Sequence, residues 1–304
     1  MELQHVITDF DAHCRRKGLS PLTLRAYGRD LQDFKGWLHQ SDLTDVFSRD
    51  TVSGWVGNMR SRKLAPASIK RRLACLKVMF AWLEDEERLG LNPFHKLKLS
   101  IRLPRRLPRD LSRNELQILL SAADIAAQQQ TKIAVHTLHL SLEVLFSTGV
   151  RISELCTIRM QDIDVFSGAI HIKGKGNRER RVYIIEPTTL SLVRNYIKKR
   201  ATHNADTDAL FITGQGTPIT PDYIRRRLHK LVEGTTICRR VTPHMLRHSA
   251  ATQLIECGAD IRYVQKLLGH SSISTTEIYT HVTDISLRAA LSQANPRRRL
   301  DKVG

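Results

Sequence analysis

Apolar residues recur at helical spacing through the first part of the chain. Within the segment 66–89 they alternate at steps of four and three residues: Ile69, Leu73, Leu76, Phe80 and Leu83. This spacing places them on one face of a helix. Ser20 and Pro21 supply an N-cap and a first-turn proline for another helix that runs to about His39. Residues 2–94 are therefore predicted to be entirely helical.

The second part of the chain mixes helical patterns with a hairpin. Ser112 and Glu115 have the spacing of a capping box, which predicts a helix to about Ala123. Residues 169–173 and 180–185 are rich in β-branched and aromatic side chains and flank a glycine-rich tip, which predicts a β-hairpin. Similar signals predict helices over 132–146, 187–200, 260–268 and 286–293, helices starting at 221 and 243, and a short strand over 209–213. The predicted fold class is mainly α with a small β-sheet.

A stretch without a clear hydrophobic period separates the two parts. Its sequence, HKLKLSIRLPRRLPRDLS, is rich in lysine, arginine and proline. That composition is typical of an extended linker. A chain of 304 residues is also long for a single hydrophobic core. We therefore predict a helical domain over 1–98, a basic linker over 99–110 and a second domain over 111–304.

The net charge indicates what kind of partner the protein binds. The formal charge is +18, from 48 Lys and Arg against 30 Asp and Glu. Such an excess suits a polyanion, because each cation set against a phosphate releases a condensed counterion. We predict that nucleic acid contacts the linker and the polar face of the 66–89 helix, for which a solvated basic face is the alternative. The predicted contact residues are Lys70, Arg71, Arg72, Lys77, Arg105 and Arg106.

Other bulk features point to a soluble intracellular protein with no membrane partner. No apolar run reaches the roughly 18 residues of a membrane span, and the start MELQHVITDF carries acidic residues, unlike a signal peptide. Five cysteines are widely spread and form no C-x-x-C pair. They are expected to be reduced thiols rather than disulfides or zinc ligands.

The segment from His244 to Tyr279 contains residues suited to handling a phosphate. His244 and Arg247 lie three residues apart, so they share one face of the predicted helix. An arginine fork beside an imidazole matches phosphate geometry. Upstream, Arg151 follows a glycine turn that can direct it into a cleft, for which a surface arginine near a helix N-terminus is the alternative interpretation. Lys175 sits between two glycines at the hairpin tip, where a solvated lysine is the alternative interpretation.

These candidates and His270 are all hydrogen-bond donors. No acidic pair accompanies them to hold magnesium, so charge on a phosphoryl group would be stabilised by side chains alone. Tyr279 fits the role of a nucleophile in such a site. Two alternatives remain open on the residues themselves. His244 and His248 with His270 or His281 could form a metal site, although the glutamate of H-E-x-x-H is missing, and Tyr279 could be an ordinary buried tyrosine.

Four motifs, taken together and in order, resemble those of a known family. They are GLSPLTLRAYGRDLQDFKGWL, STGVRISEL, IKGKGNRERRV and TPHMLRHSAATQLIECGADIRYVQKLLGHSSISTTEIYTHV. The chain resembles the tyrosine recombinases, the phage integrase and Xer family of site-specific DNA recombinases, over nearly its whole length. The resemblance implies a helical N-terminal core-binding domain and a mixed α+β catalytic domain, which together form a clamp around DNA.

The resemblance also implies a role for each phosphate-binding residue. Arg151 and Arg247 would clamp the non-bridging oxygens of the scissile phosphate, and His270 would donate a hydrogen bond to it. Glu154, three residues after Arg151, would support the site from behind without touching the substrate. No metal or other cofactor is expected.

The remaining three residues would carry the chemistry. By the same resemblance, Tyr279 would attack the phosphate to give a 3′-phosphotyrosyl link and a free 5′ hydroxyl. Lys175 would act as the general acid for the leaving 5′ oxygen, and His244 would assist proton transfer at the nucleophile. Strand exchange would proceed through a Holliday junction without ATP.

The family's partners define the remaining expectations. They are double-stranded DNA carrying a specific recombination site, and a homo-tetramer or a hetero-tetramer with a second recombinase. The tail after Tyr279 would dock onto a neighbouring protomer. The expected location is the cytoplasm of a prokaryote, at the nucleoid. A type IB topoisomerase and a DNA-binding protein without catalysis are the alternative functions.

Overall fold

The computed structural model describes residues 2–41, 43, 45–97, 100–102, 110–174, 179–203 and 205–269. The chain divides into two compact units, Met1–Arg106 and Leu107–Gly304. This division falls inside the segment 99–110 for which the sequence predicts a linker. Across the described ranges, no helix combines the length and the apolar character needed to cross a membrane.

The described part of the N-terminal unit is helical. Its α-helices are α1 (Leu3–Arg16), α2 (Pro21–Leu38), α3 (Arg49–Ser61) and α4 (Pro66–Asp85). Ser20 caps α2, because its hydroxyl oxygen accepts a hydrogen bond from the Thr23 N–H at 3.2 Å. The apolar stripe predicted along α4 is buried at all five positions. The hydrophobic core of the N-terminal unit includes Phe34 and Trp55, whose ring centroids lie 5.0 Å apart.

Helix α4 ends at Asp85 rather than at the predicted Leu89. The backbone reverses at Glu87, which adopts a positive φ of 54°, and the Arg88 N–H donates to the Leu83 carbonyl at 2.8 Å. A left-handed residue of this kind satisfies the last carbonyl groups of a helix and stops it. The hydrophobic period alone does not reveal such a stop.

Helices and one hairpin make up the described part of the C-terminal unit. The helices are α5 (Arg113–Gln129), α6 (Ile133–Thr148), α7 (Ile152–Leu155), α8 (Pro187–Ala201), α9 (Pro221–Glu233), α10 (Pro243–Glu256) and α11 (Ile261–Leu268). The capping box of Ser112 and Glu115 is confirmed, although α5 continues past the predicted Ala123. Helix α6 packs against α5, α8 and α10, since a helix that is apolar around most of its circumference must be covered on several sides.

The predicted hairpin is present as β1 (Ala169–Lys173) and β2 (Glu179–Tyr183), which pair antiparallel with Ile170 opposite Val182. The predicted strand over 209–213 is wrong. That segment makes only isolated bridges, because the chain turns back after it and the Thr213 N–H donates to the Thr217 carbonyl. Its apolar composition reflects burial rather than strand pairing.

Candidate active site

Arg151 is positioned by the turn that ends α6. Gly149 adopts φ 63°, and its N–H donates to the Leu145 carbonyl at 3.1 Å. Only glycine enters this left-handed conformation at little cost. A Cβ at this position would also lie 2.8 Å from Cδ2 of Leu268, on α11. The turn places Arg151 at the N-cap of α7, where 39% of its side chain remains exposed.

Glu154 lies directly behind Arg151 and is 5% exposed. One carboxylate oxygen accepts the Arg151 backbone N–H at 2.8 Å, and the other accepts a guanidinium N–H of the same residue at 2.8 Å. These contacts fix both the main chain and the side chain of Arg151.

A second arginine, Arg180 of β2, binds the same carboxylate, and the sequence patterns used to identify the candidate site residues do not include it. Its two terminal nitrogens donate to Glu154 at 3.0 and 2.8 Å, and its Nε donates to the Leu267 carbonyl at 2.8 Å. The sequence does contain an indication of this inward orientation, because side chains of a β-strand such as β2 point alternately to its two faces. Arg180 has the same parity as the buried Val182 and therefore points to the covered face of the hairpin.

The ionisation of Glu154 follows from these contacts. Burial by itself raises the pKa of a carboxyl group, but the hydrogen bonds and positive charge of Arg180, with the hydrogen bonds from Arg151, outweigh it. Together they lower the pKa of Glu154 to about 2. The carboxylate is therefore ionised at every pH at which the protein would work.

Arg247 of α10 is 2% exposed and is anchored from two sides. Its Nη1 donates to the Gly149 carbonyl at 2.7 Å, and its Nη2 donates to the Leu268 carbonyl at 2.8 Å. The second acceptor belongs to the C-terminus of α11, where the partial negative charge of the helix dipole stabilises a buried cation. Arg151 donates to the next carbonyl, that of Gly269, at 3.4 Å.

His244 lies in the first turn of α10, one turn before Arg247. Thr242 caps this helix by accepting the Met245 N–H at 3.4 Å. Desolvation lowers the pKa of His244, and the positive charges of Arg247 and Arg151 lower it further. His244 therefore lies within electrostatic reach of both arginines, and its imidazole is neutral near pH 7.

The structure thus brings together Arg151, Glu154, His244 and Arg247. Lys175, His270 and Tyr279 lie outside the described residues. No group of three or more His, Cys, Asp or Glu side chains in the described ranges has the arrangement of a metal site.

Four of the six predicted DNA-contacting residues lie on α4, and two of these four are ion-paired. Arg71 is ion-paired with Asp30, and Arg72 is ion-paired with Asp33, so their guanidinium groups are held by carboxylates of α2. Lys70 and Lys77 are exposed on α4, while Arg105 and Arg106 lie outside the described residues.

The comparisons with known proteins cover both units. The family model described as the phage integrase family matches residues 109–285, and the model of its N-terminal SAM-like domain matches residues 7–87. The tyrosine recombinase XerC of Myxococcus xanthus is 36% identical over 304 residues, covering 97% of this chain and 99% of the relative. The tyrosine recombinase XerD of Listeria innocua is 33% identical over 291 residues, with 92% and 95% coverage.

Solved structures share the fold. The Tn1549 transposon integrase in complex with transposon right end DNA superposes with a TM-score of 0.76 at 21% identity, covering 96% of this chain and 99% of that one. The XerH recombinase bound to its difH substrate superposes with a TM-score of 0.72 at 22% identity, with 94% and 83% coverage. The predicted fold class is confirmed, and the chain belongs to the phage integrase family as an Xer-like tyrosine recombinase.

Proposed function

We propose that this recombinase cuts and rejoins double-stranded DNA at a specific site, with Tyr279 as the nucleophile. The observation that carries the proposal is the convergence of Arg151, Arg247 and His244 beside the end of α11. The two guanidinium groups are anchored there by contacts to Glu154 and to backbone carbonyl groups. Their positive charges, with desolvation, lower the pKa of the His244 imidazole.

The two arginines suit a phosphodiester better than a neutral substrate. Arg151 keeps part of its guanidinium exposed while Glu154 holds the remainder, so it can contact a non-bridging oxygen without losing its anchor. Donors fixed before substrate binds stabilise the charge that builds up in the transition state without reorganising. We assign Arg151 and Arg247 to the non-bridging oxygens and His270 to a further hydrogen bond with the phosphate.

The proposed reaction conserves the phosphodiester bond energy. The Tyr279 oxygen attacks the phosphorus and its proton passes to His244, whose lowered pKa leaves the imidazole free of a proton near neutral pH. The bond from phosphorus to the 5′ oxygen breaks, and Lys175 donates the proton that makes it a 5′ hydroxyl. Attack by a 5′ hydroxyl of the partner strand reverses the step and releases Tyr279, so neither ATP nor a metal is required.

The N-terminal unit would supply additional contacts to the DNA backbone. The exposed Lys70 and Lys77 of α4 would contact phosphates directly, while Arg71 and Arg72 would present guanidinium groups whose orientation α2 fixes. Residues 1–98 would form the core-binding domain, 99–110 the basic linker with Arg105 and Arg106, and 111–304 the catalytic domain. The two domains would close around the duplex as a clamp.

Assembly follows from strand exchange, because two DNA sites must be cut and joined to each other. We propose a tetramer, built from this chain alone or together with a second recombinase, that passes through a Holliday junction. The tail after Tyr279 would dock onto a neighbouring protomer. The relatives quoted above are bacterial, and we place the activity at the nucleoid in the cytoplasm.

A covalent-trapping experiment tests the proposed reaction. Tyr279→Phe protein is first used to select its bound site from a random duplex library. That site is then synthesised with a nick close to the cleavage point, so that the fragment carrying the 5′ hydroxyl diffuses away. Wild type is expected to form a covalent protein–DNA adduct, and Tyr279→Phe is expected to bind with equal affinity but form none.

Two results would contradict the proposal. An adduct that survives Tyr279→Phe would exclude this tyrosine as the nucleophile, and the absence of an adduct with wild type would indicate a DNA-binding protein without catalysis. Efficient relaxation of a supercoiled plasmid that lacks the selected site would instead favour a topoisomerase.

A further inference from the structure

Three arginines from three different elements bind three consecutive carbonyl groups at the end of α11. Arg180 of β2 donates to the Leu267 carbonyl, Arg247 of α10 to that of Leu268, and Arg151 to that of Gly269, at 2.8, 2.8 and 3.4 Å. The last carbonyl groups of a helix have no partner within the helix. Here guanidinium groups supply those partners.

Arg180 differs from the other two because it joins this helix end to Glu154. Its terminal nitrogens form a fork on the carboxylate, and its Nε occupies the Leu267 carbonyl. The side chain is 13% exposed. Arg180 thus contacts the buried carboxylate that orients Arg151 and, at the same time, the helix end that holds Arg247.

The backbone of Gly269 is fitted to this arrangement. Gly269 adopts φ 64°, and a Cβ built there would lie 3.2 Å from Nη1 and 3.3 Å from Cδ and Cζ of Arg180. The next residue in the chain is His270, and Lys175 precedes Arg180 by five residues in the same hairpin sequence. Arg180 is therefore close to Gly269, the residue before His270, and follows Lys175 by five residues in sequence.

From these contacts we propose that Arg180 is a positioning residue for the reaction. It acts through Glu154 on Arg151 and through the end of α11 on Arg247, and thereby sets the spacing of the two phosphate-binding arginines. It does not itself touch the substrate. This inference rests on the proposed function, because the distance between the two arginines matters only if they bind one phosphate.

Lysine cannot make the same three contacts. Arginine presents its donors in a fixed planar fork, whereas the donors of lysine radiate from one nitrogen. The carboxylate of Glu154 and the Leu267 carbonyl lie on two sides of the guanidinium group. A positioning role therefore requires arginine geometry, whereas a role limited to neutralising Glu154 requires only a positive charge.

The test compares Arg180→Gln, Arg180→Lys and the matched control Arg181→Gln in the full-length protein. Arg181 is the next residue of β2, is exposed and points away from Glu154, so its substitution removes the same charge from the opposite face. Single-turnover adduct formation is measured on the nicked site at saturating DNA, with the dissociation constant measured separately. Hydrogen exchange is followed over 150–156 and 261–269.

Arg180→Gln and Arg180→Lys are each expected to slow adduct formation by about 100-fold, the size of loss that a misplacement of roughly 1 Å can cause. Their affinity for DNA should match that of Arg181→Gln, whose rate should equal that of wild type. Exchange should increase in both segments for the Arg180 variants only. In combination with Glu154→Gln, the effect of Arg180→Gln should be less than additive, because both substitutions break the same link.

Several outcomes would overturn the inference. They are a wild-type rate in Arg180→Lys, an equal loss of rate in Arg181→Gln, a loss confined to DNA affinity, or unchanged exchange over 261–269. If wild type forms no adduct, the proposed function fails, and the exchange data still decide whether Arg180 holds the two segments. Should Arg180→Gln fail to fold, Gly269→Ala would place a methyl group 3.2 Å from Nη1 of Arg180. Displacement of that guanidinium group is expected to lower the rate in the same way.

Discussion

The carboxylate of Glu154 offers a quantitative test of how the arginine cluster is held. Glu154→Gln keeps the shape of the side chain but removes the charge and replaces one acceptor oxygen with an N–H donor. Four donors from two arginines point at that carboxylate at 2.8–3.0 Å. The substitution therefore leaves a buried guanidinium fork facing another donor.

The pKa of Glu154 sets the magnitude. It is lowered to about 2 from an ordinary value of 4.5, a difference equivalent to roughly 3 kcal/mol. Because the folded state lowers the pKa, this stabilisation is complete above about pH 4.5 and disappears as the pH falls toward 2. Glu154→Gln should therefore cost about 3 kcal/mol near neutral pH, in line with the breaking of a buried ion pair, and almost nothing near pH 2.

The assay is denaturant unfolding of wild type and variant from pH 2 to 7. Tryptophans occur only at Trp37, Trp55 and Trp82, all in the N-terminal unit, so their fluorescence monitors that unit while circular dichroism also reports the catalytic one. Glu186→Gln, at an exposed position, is the control and should change stability by less than about 0.5 kcal/mol. A difference between wild type and Glu154→Gln that stays constant from pH 4.5 to 2 would refute the reasoning.

Three further predictions concern other parts of the molecule. Gly149→Ala should destabilise the catalytic unit by at least about 1–2 kcal/mol, because the φ angle of residue 149 is positive and the new methyl group would contact Leu268. An unfolding midpoint equal to that of wild type would contradict this prediction. The rate of adduct formation should fall on acidification with a midpoint below pH 6.5, because desolvation and nearby arginines lower the pKa of His244. His244→Gln should abolish this acidic decrease in rate. If the decrease persists in the variant, it belongs to another titrating group. Burial raises the pKa of Asp30 despite its pairing with Arg71. Wild type should therefore lose stability relative to Asp30→Asn as the pH rises above about 4, as measured by denaturant unfolding followed by tryptophan fluorescence. A stability difference that does not change with pH would contradict this.

Some site contacts could be predicted from the sequence only in part. The Gly149 turn and the spacing of His244 and Arg247 are local features, and both are visible in the chain. The contacts of Arg180 are not, because its partners Glu154 and Leu267 are 26 and 87 positions away in sequence. Strand alternation indicates that Arg180 faces inward but not which carboxylate it meets.

The N-terminal unit shows the same division. Helical periodicity correctly predicts which face of α4 is buried and leaves Arg71 and Arg72 on the polar face. It gives no indication that Asp30 and Asp33 of α2 bind these two arginines, since that depends on how two helices pack. A count of basic residues along the sequence therefore overstates how many of their side chains lack an acidic partner within the protein.

Local patterns in the chain are enough to predict most of the helices, the hairpin and the order in which the candidate site residues occur. Caps, hydrophobic period and turn residues act within a few positions, so local signals suffice to place α2, α5 and the hairpin. The folded structure is needed to show that the segment 209–213 makes isolated bridges instead of a strand, and that three arginines bind the end of α11. Those outcomes depend on packing between distant segments, where burial and hydrogen-bond satisfaction outweigh local propensity.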